Sequence, residues 1–120
     1  MKYSILMYLF SVVFLNACVK ENNDQFCDVE NPLEELIWLM ELRDMNDSNT
    51  GIVEIYKCNY KELEGFLIDL CVGCPDGLVE FYDCEGNVIC EFGGFDGRNT
   101  CPDFESSVTN MELIWTNGLK

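Results

Sequence analysis

The chain has 120 residues, with 22 acidic against seven basic side chains, no histidine and eight cysteines. That length supports one small domain, and a formal charge of −15 repels phosphate backbones, so nucleic acid is excluded as a partner. With no histidine, His-based acid–base work, the usual serine and cysteine triads and most catalytic zinc sites are excluded too.

The first segment in chain order reads as a targeting signal. Lys2 precedes an apolar run over residues 5–15, and Asn16-Ala17 then lead into Cys18. These are the charged, apolar and small-residue regions of a secretory signal, and the run is too short for a spanning helix, which needs about 20 apolar residues. The cysteine at the cut resembles a bacterial lipoprotein signal. The expectation is therefore that residues 1–17 are removed and that Cys18 is acylated, anchoring the chain to a membrane. Residues 18–30 form a polar tether, in which Lys20-Glu21 resembles a signal for the outer face of the outer membrane. Without Lys2, 22 acidic residues face six basic ones, a net charge of −16. Such a surface also repels anionic lipid, so the acyl chains do the anchoring.

Residues 31–120 then form a single small domain. Asn31-Pro32-Leu33-Glu34 reads as a helix start: a capping asparagine, proline at the first helical position and capping-box spacing. Leu33, Leu36, Ile37 and Met40 fall on one helical stripe, widened by Trp38, Leu39 and Leu42, and the turn formers of residues 45–51 end it. Residues 52–58 alternate, with Val53 and Ile55 opposite Glu54, Tyr56 and Cys58. Residues 66–71 place Phe66, Ile68 and Leu70 opposite Leu67, Asp69 and Cys71. Residues 78–84 place Val79 and Phe81 opposite Glu80 and Tyr82, and residues 88–92 form a fourth strand. Short connections over 59–65, 73–77 and 85–87 favour antiparallel pairing. The predicted architecture is α+β, one N-terminal helix packed on a four-stranded antiparallel meander in two layers. A loop follows over residues 93–100, and residues 111–115 make a short final strand or helical turn. Trp38 and Trp115 read as core-fillers.

Seven cysteines remain beyond Cys18: Cys27, Cys58, Cys71, Cys74, Cys84, Cys90 and Cys101. In an exported domain too small for a large core, this density reads as a disulfide framework. Seven is odd, so one thiol stays free or pairs outside the chain, and six paired cysteines allow about 15 connectivities. Cys71-Val72-Gly73-Cys74 has redox spacing, but it runs into a turn rather than opening a helix that would lower a thiol pKa. Structural cysteines are the better reading. A zinc site of Cys71, Cys74, Cys84 and Cys90 is disfavoured in an oxidising compartment, and no metal or cofactor is expected. Asp83-Cys84-Glu85-Gly86-Asn87 and Asp96-Gly97-Arg98-Asn99 cluster carboxylates with glycine without fitting a twelve-residue calcium loop. The first reads as a tight turn with Gly86 at positive φ.

From Cys71 onward, three groups of residues stand together: Cys71-x-x-Cys74-Pro-Asp-Gly-Leu, Tyr82-Asp83-Cys84-x-Gly86-Asn87-Val-Ile-Cys90-Glu-Phe-Gly93-Gly94, and Thr100-Cys101-Pro102-Asp103-Phe104. They resemble an uncharacterised domain-of-unknown-function family of small bacterial lipoproteins, over about residues 27–116. The resemblance implies an exported, anchored, disulfide-bearing domain and supplies no substrate or activity. Cys27, Cys71, Cys74, Cys84, Cys90 and Cys101 are then the disulfide candidates. Cys58, outside that pattern, is the candidate free thiol.

These features lead to an expected function without catalysis: a lipid-anchored cell-envelope module that binds an unknown envelope or extracellular protein. The candidate contact surface is the loop over residues 93–104, where Phe92, Phe95 and Phe104 flank glycines and Arg98. Its phenylalanines serve equally well as caps on the core, and that is the simpler reading. Two alternatives are an inhibitor-like protein that plugs a partner with a disulfide-held loop, and a thiol redox or metal-handling protein using Cys71 and Cys74.

Overall fold

The computed structural model of the protein describes residues 25–118. The expected signal segment, Cys18 and residues 18–24 of the tether lie outside them. Two short helices, α1 (Pro32–Glu35) and α2 (Ile37–Asn46), precede β1 (Glu54–Tyr60), β2 (Leu63–Asp69), β3 (Leu78–Asp83), β4 (Val88–Gly93) and β5 (Arg98–Asn99). A single helical turn, α3 (Phe104–Ser107), leads into the last strand, β6 (Val108–Thr116). The strands form one antiparallel sheet in the order β5-β4-β3-β2-β1-β6.

This overturns the expected α+β architecture of one helix on a four-stranded meander in two layers. The meander exists as β1–β4, but it is the middle of a larger sheet. Residues 108–116, read as a short strand or turn, run nine residues along the open edge of β1. The single expected helix is two pieces, because Leu36 takes an extended conformation at φ −89°, ψ 104° between them. The connection expected over 59–65 shrinks to Lys61-Glu62, with Lys61 at φ 57°. Strand pairing wins there because Asn59 and Tyr60 gain ladder partners in both β2 and β6.

Alternation along the strands sorts side chains onto two faces. On the first, Ile55, Phe66 and Ile68 pack with Val53 under Leu39 of α2, all essentially inaccessible. Trp38 stacks on Tyr82 with ring centroids 5.3 Å apart, and its indole N–H donates to the Cys84 carbonyl at 2.9 Å. The sharp turn after β3 needs Gly86, since its φ is +89° and a Cβ would lie 2.8 Å from the Trp38 ring. At the far end, the Asn117 side chain accepts from the Val53 amide at 2.8 Å and donates to the Asn46 and Gly51 carbonyls. It thereby ties the end of α2 to the end of β6.

The second face carries Cys58, Tyr60, Phe81 and Cys90, closed over by Phe104 of α3. Tyr60 and Phe104 stack at 5.1 Å. Opposite Cys58 on β2 lies Gly65, where a Cβ would come within 2.5 Å of the Phe81 ring and 2.1 Å of the Tyr82 carbonyl. Here glycine is required by close packing. This cover reaches only part of the second face, and the remainder is where the candidate site lies.

Candidate functional site

Six cysteines form three bridges among the described residues. Cys27–Cys84 ties the arm before α1 to the turn after β3, across 57 positions. Cys90–Cys101 spans 11 positions and holds the residues before α3 against β4. Cys71–Cys74 closes a short loop between β2 and β3. The four cysteines weighed as a zinc set, Cys71, Cys74, Cys84 and Cys90, thus belong to three different bridges. Cys71 follows β2 into a turn, where its amide donates to Asp69 at 3.1 Å, and no helix begins there. The two sulfurs of Cys27 and Cys84 lie near a carboxylate oxygen of Glu64. They are spent on each other, and Glu64 accepts from the Cys27 amide at 2.6 Å.

Cys58 is the free cysteine among the described residues, and it is fully buried on β1. Burial pushes its thiol up to about 11, so at neutral pH it is protonated and behaves as a small hydrophobe. Both calcium-like clusters are engaged in protein contacts. Asp83 accepts from the amides of Glu85 and Asn87, each at 2.9 Å, and from the Asn87 side chain. Asp96 holds the Arg98 guanidinium, which also reaches Glu91 at 2.9 Å.

The four residues singled out on the C-terminal loop part company. Phe104 is buried and Phe92 packs against it at 4.9 Å. Both therefore serve the second core. Phe95 stands 95% exposed at the tip of the loop, and Arg98 is half-exposed but paired with Asp96 and Glu91. No contact surface unites the four.

What the sheet does form is an open apolar groove of about 460 Å³ on its second face. Leu67, Val79 and Phe92 line it from neighbouring strands, Phe104 from α3, and Val108 and Met111 from β6. The α3 cover beside it is pinned by Asp103, which accepts from the Tyr60 hydroxyl and pairs with Lys61 at 2.8 Å. Those two donors hold the Asp103 carboxyl below the usual carboxylate range. Beyond the groove, Glu54 and Asp69 face each other directly across β1 and β2. Burial first, and the Glu54 charge after it, raise the Asp69 carboxyl above its ordinary value. Like charges in directly opposed positions oppose strand pairing.

Sequence reading missed Met111 and Leu113 as surface residues of one strand. Their alternation around Glu112 was the available signal. A bulge cuts that alternation off from the start of the strand: Asn110 takes φ 56° and the register against β1 shifts between Lys57 and Asn59.

Together these features define a small antiparallel-sheet domain, stapled by disulfides and open along one apolar face. Residues 41–117 match the family model described as Domain of unknown function (DUF6970), and the chain belongs to that family. The match begins inside α2 rather than at Cys27, so the Cys27–Cys84 bridge fastens a preceding arm onto the matched region. No curated protein and no solved structure matches the chain.

Proposed function

We propose that this protein is a bacterial lipoprotein whose domain works, without catalysis, as an interaction module at the cell envelope. Residues 1–17 are the cleaved signal, Cys18 carries the lipid, and the polar stretch that follows it tethers to the outer membrane a domain that already includes the arm fastened by Cys27–Cys84. The observation that carries the reading is the oxidised state of six cysteines in one small domain. Bridges at this density persist in exported proteins and not in a reducing cytosol. The sequence Leu15-Asn16-Ala17-Cys18 supplies the matching address, and the acidic surface directs partner choice toward basic proteins and away from nucleic acid.

Metabolic labelling tests the reading. The full chain expressed in a bacterium with an outer membrane takes up an alkyne-tagged fatty acid and sediments with outer-membrane vesicles. Cys18→Ala loses both label and sedimentation. A native chain that stays unlabelled and soluble contradicts the proposal.

A loop-plugging inhibitor is a second reading, favoured by Phe95. This exposed aromatic residue stands at the tip of the loop that the Cys90–Cys101 bridge closes.

A further inference from the structure

The sheet ends very differently at its two edges. On one side β5 is two residues long and carries Arg98 in ion pairs with Asp96 and Glu91. Short, charged edges of this kind resist further pairing. On the other side β6 runs nine residues, and among the described residues its pairing partner is β1 alone. Residues 109–113 are all exposed, including Met111 at 45% and Leu113 at 40%. Its one charged residue, Glu112, pairs with Lys57 at 3.2 Å on the first face of the sheet. No proline or lysine blunts this edge.

The bare edge and the apolar groove are continuous. Leu113 lies opposite Tyr56 and Val108 opposite Tyr60, which puts both on the second face. Met111 lines the groove with Val108. A strand added alongside β6 therefore satisfies the free backbone groups of the edge. At alternate positions it also lays side chains over Met111 and Leu113, toward the groove.

Charge selects the occupant. The chain carries 22 acidic residues against seven basic ones, Glu105 is the charged residue lining the groove, and Glu54 and Asp69 crowd the same face. A second copy brings an equal negative charge and a second Glu112 to the seam, whereas a basic segment relieves the repulsion. We infer that β6 is a docking edge for an extended segment of another protein, one that alternates apolar with basic residues and pairs as a seventh strand. This deepens the interaction-module reading by naming the surface and the chemistry of the partner.

The test uses the full chain in nanodiscs of zwitterionic lipid. The probe is a fluorescent peptide of alternating lysine and leucine, with alternating glutamate and leucine as its counterpart. The lysine peptide is expected to bind and the glutamate peptide not to. The double variant M111K/L113K should weaken binding by about tenfold or more, since two central contacts are lost and two positive charges now face the lysine peptide. The double variant I37K/M45K places the same two new charges on residues 67% and 78% exposed on α2 and should leave binding within about twofold. Equal weakening by both variants means attraction to net charge alone and overturns the inference. So does a chain that binds neither peptide, or one that sediments as a dimer that M111K/L113K dissociates, where a second copy occupies the edge. Because binding is read on purified protein, a chain that is lipidated but does not bind refutes the docking edge and leaves the envelope reading standing.

Discussion

On the helical face of the sheet, Phe66 and Ile68 are covered completely by α2 and the Cys27 arm, whereas Leu67, between them on β2, faces the groove and stays half-open. One strand thus supplies a finished core on one side and an unfinished one on the other. The finished side accounts for stability, through close packing that tolerates little loss of volume. The unfinished side keeps apolar residues within reach of solvent next to a free strand edge, and a partner can use both.

The largest test of this contrast is truncation at neighbouring positions. Phe66→Ala should cost about 4 kcal/mol in urea unfolding, as expected for an aromatic residue removed from a closed core. Leu67→Ala should cost about 1 kcal/mol, because part of its surface already meets water. Equal losses would mean that both faces are equally closed.

The bridges sharpen the comparison, because each restrains a different part of the molecule. By chain entropy, replacing Cys27 and Cys84 with serine should cost about 4 kcal/mol, Cys90 and Cys101 about 3 kcal/mol, and Cys71 and Cys74 about 2 kcal/mol. Melting temperatures of the three double variants should fall in that order. A Cys71/Cys74 variant that melts lowest would show that the short loop carries more than its own closure.

Cys58 tests how tightly the second face is sealed under Phe104. Native protein at neutral pH should leave Cys58 unmodified by iodoacetamide in peptide mass mapping, and protein in denaturant should be alkylated. Rapid native alkylation would mean that the α3 cover opens often.

A smaller effect is expected from acid. Asp103 titrates below its ordinary value in the fold because Lys61 and Tyr60 hold its charged form. The stabilisation it contributes is complete above the unfolded carboxylate range and fades as pH falls through the lower folded value. Near-ultraviolet circular dichroism of the Tyr60–Phe104 stack should loosen over that acid range, and Asp103→Asn should remove this pH dependence. The smallest effect belongs to Phe95→Ala, which should change stability by less than about 0.5 kcal/mol. A larger loss would place Phe95 in the core with Phe92 and Phe104.

Much of the central sheet is legible in the sequence, since Val53 and Ile55, Phe66 and Ile68, and Val79 and Phe81 alternate as period-two strands must. The turn at Gly86 is legible for the same local reason, a backbone that needs positive φ. What hides the outer strands is non-local. Thr109-Asn110 offers no apolar alternation, and β6 becomes a strand because β1 provides an edge some fifty residues earlier. Arg98–Asn99 is too short to show any period. The helix break at Leu36 is masked because Leu33, Leu36, Ile37 and Met40 keep helical spacing across it. The groove was least legible of all, because Leu67, Val79, Phe92 and Met111 come from four strands and meet only once the sheet order is known. On the C-terminal loop, composition alone could not separate the buried Phe104 from the exposed Phe95.

The most direct test of the two-faced account is amide hydrogen exchange on the full chain, with and without the lysine–leucine peptide. The account predicts new protection confined to Val108–Thr116, with Ile37–Asn46 on the opposite face unchanged. Protection that appears on Ile37–Asn46, or that spreads evenly over the chain, would contradict it.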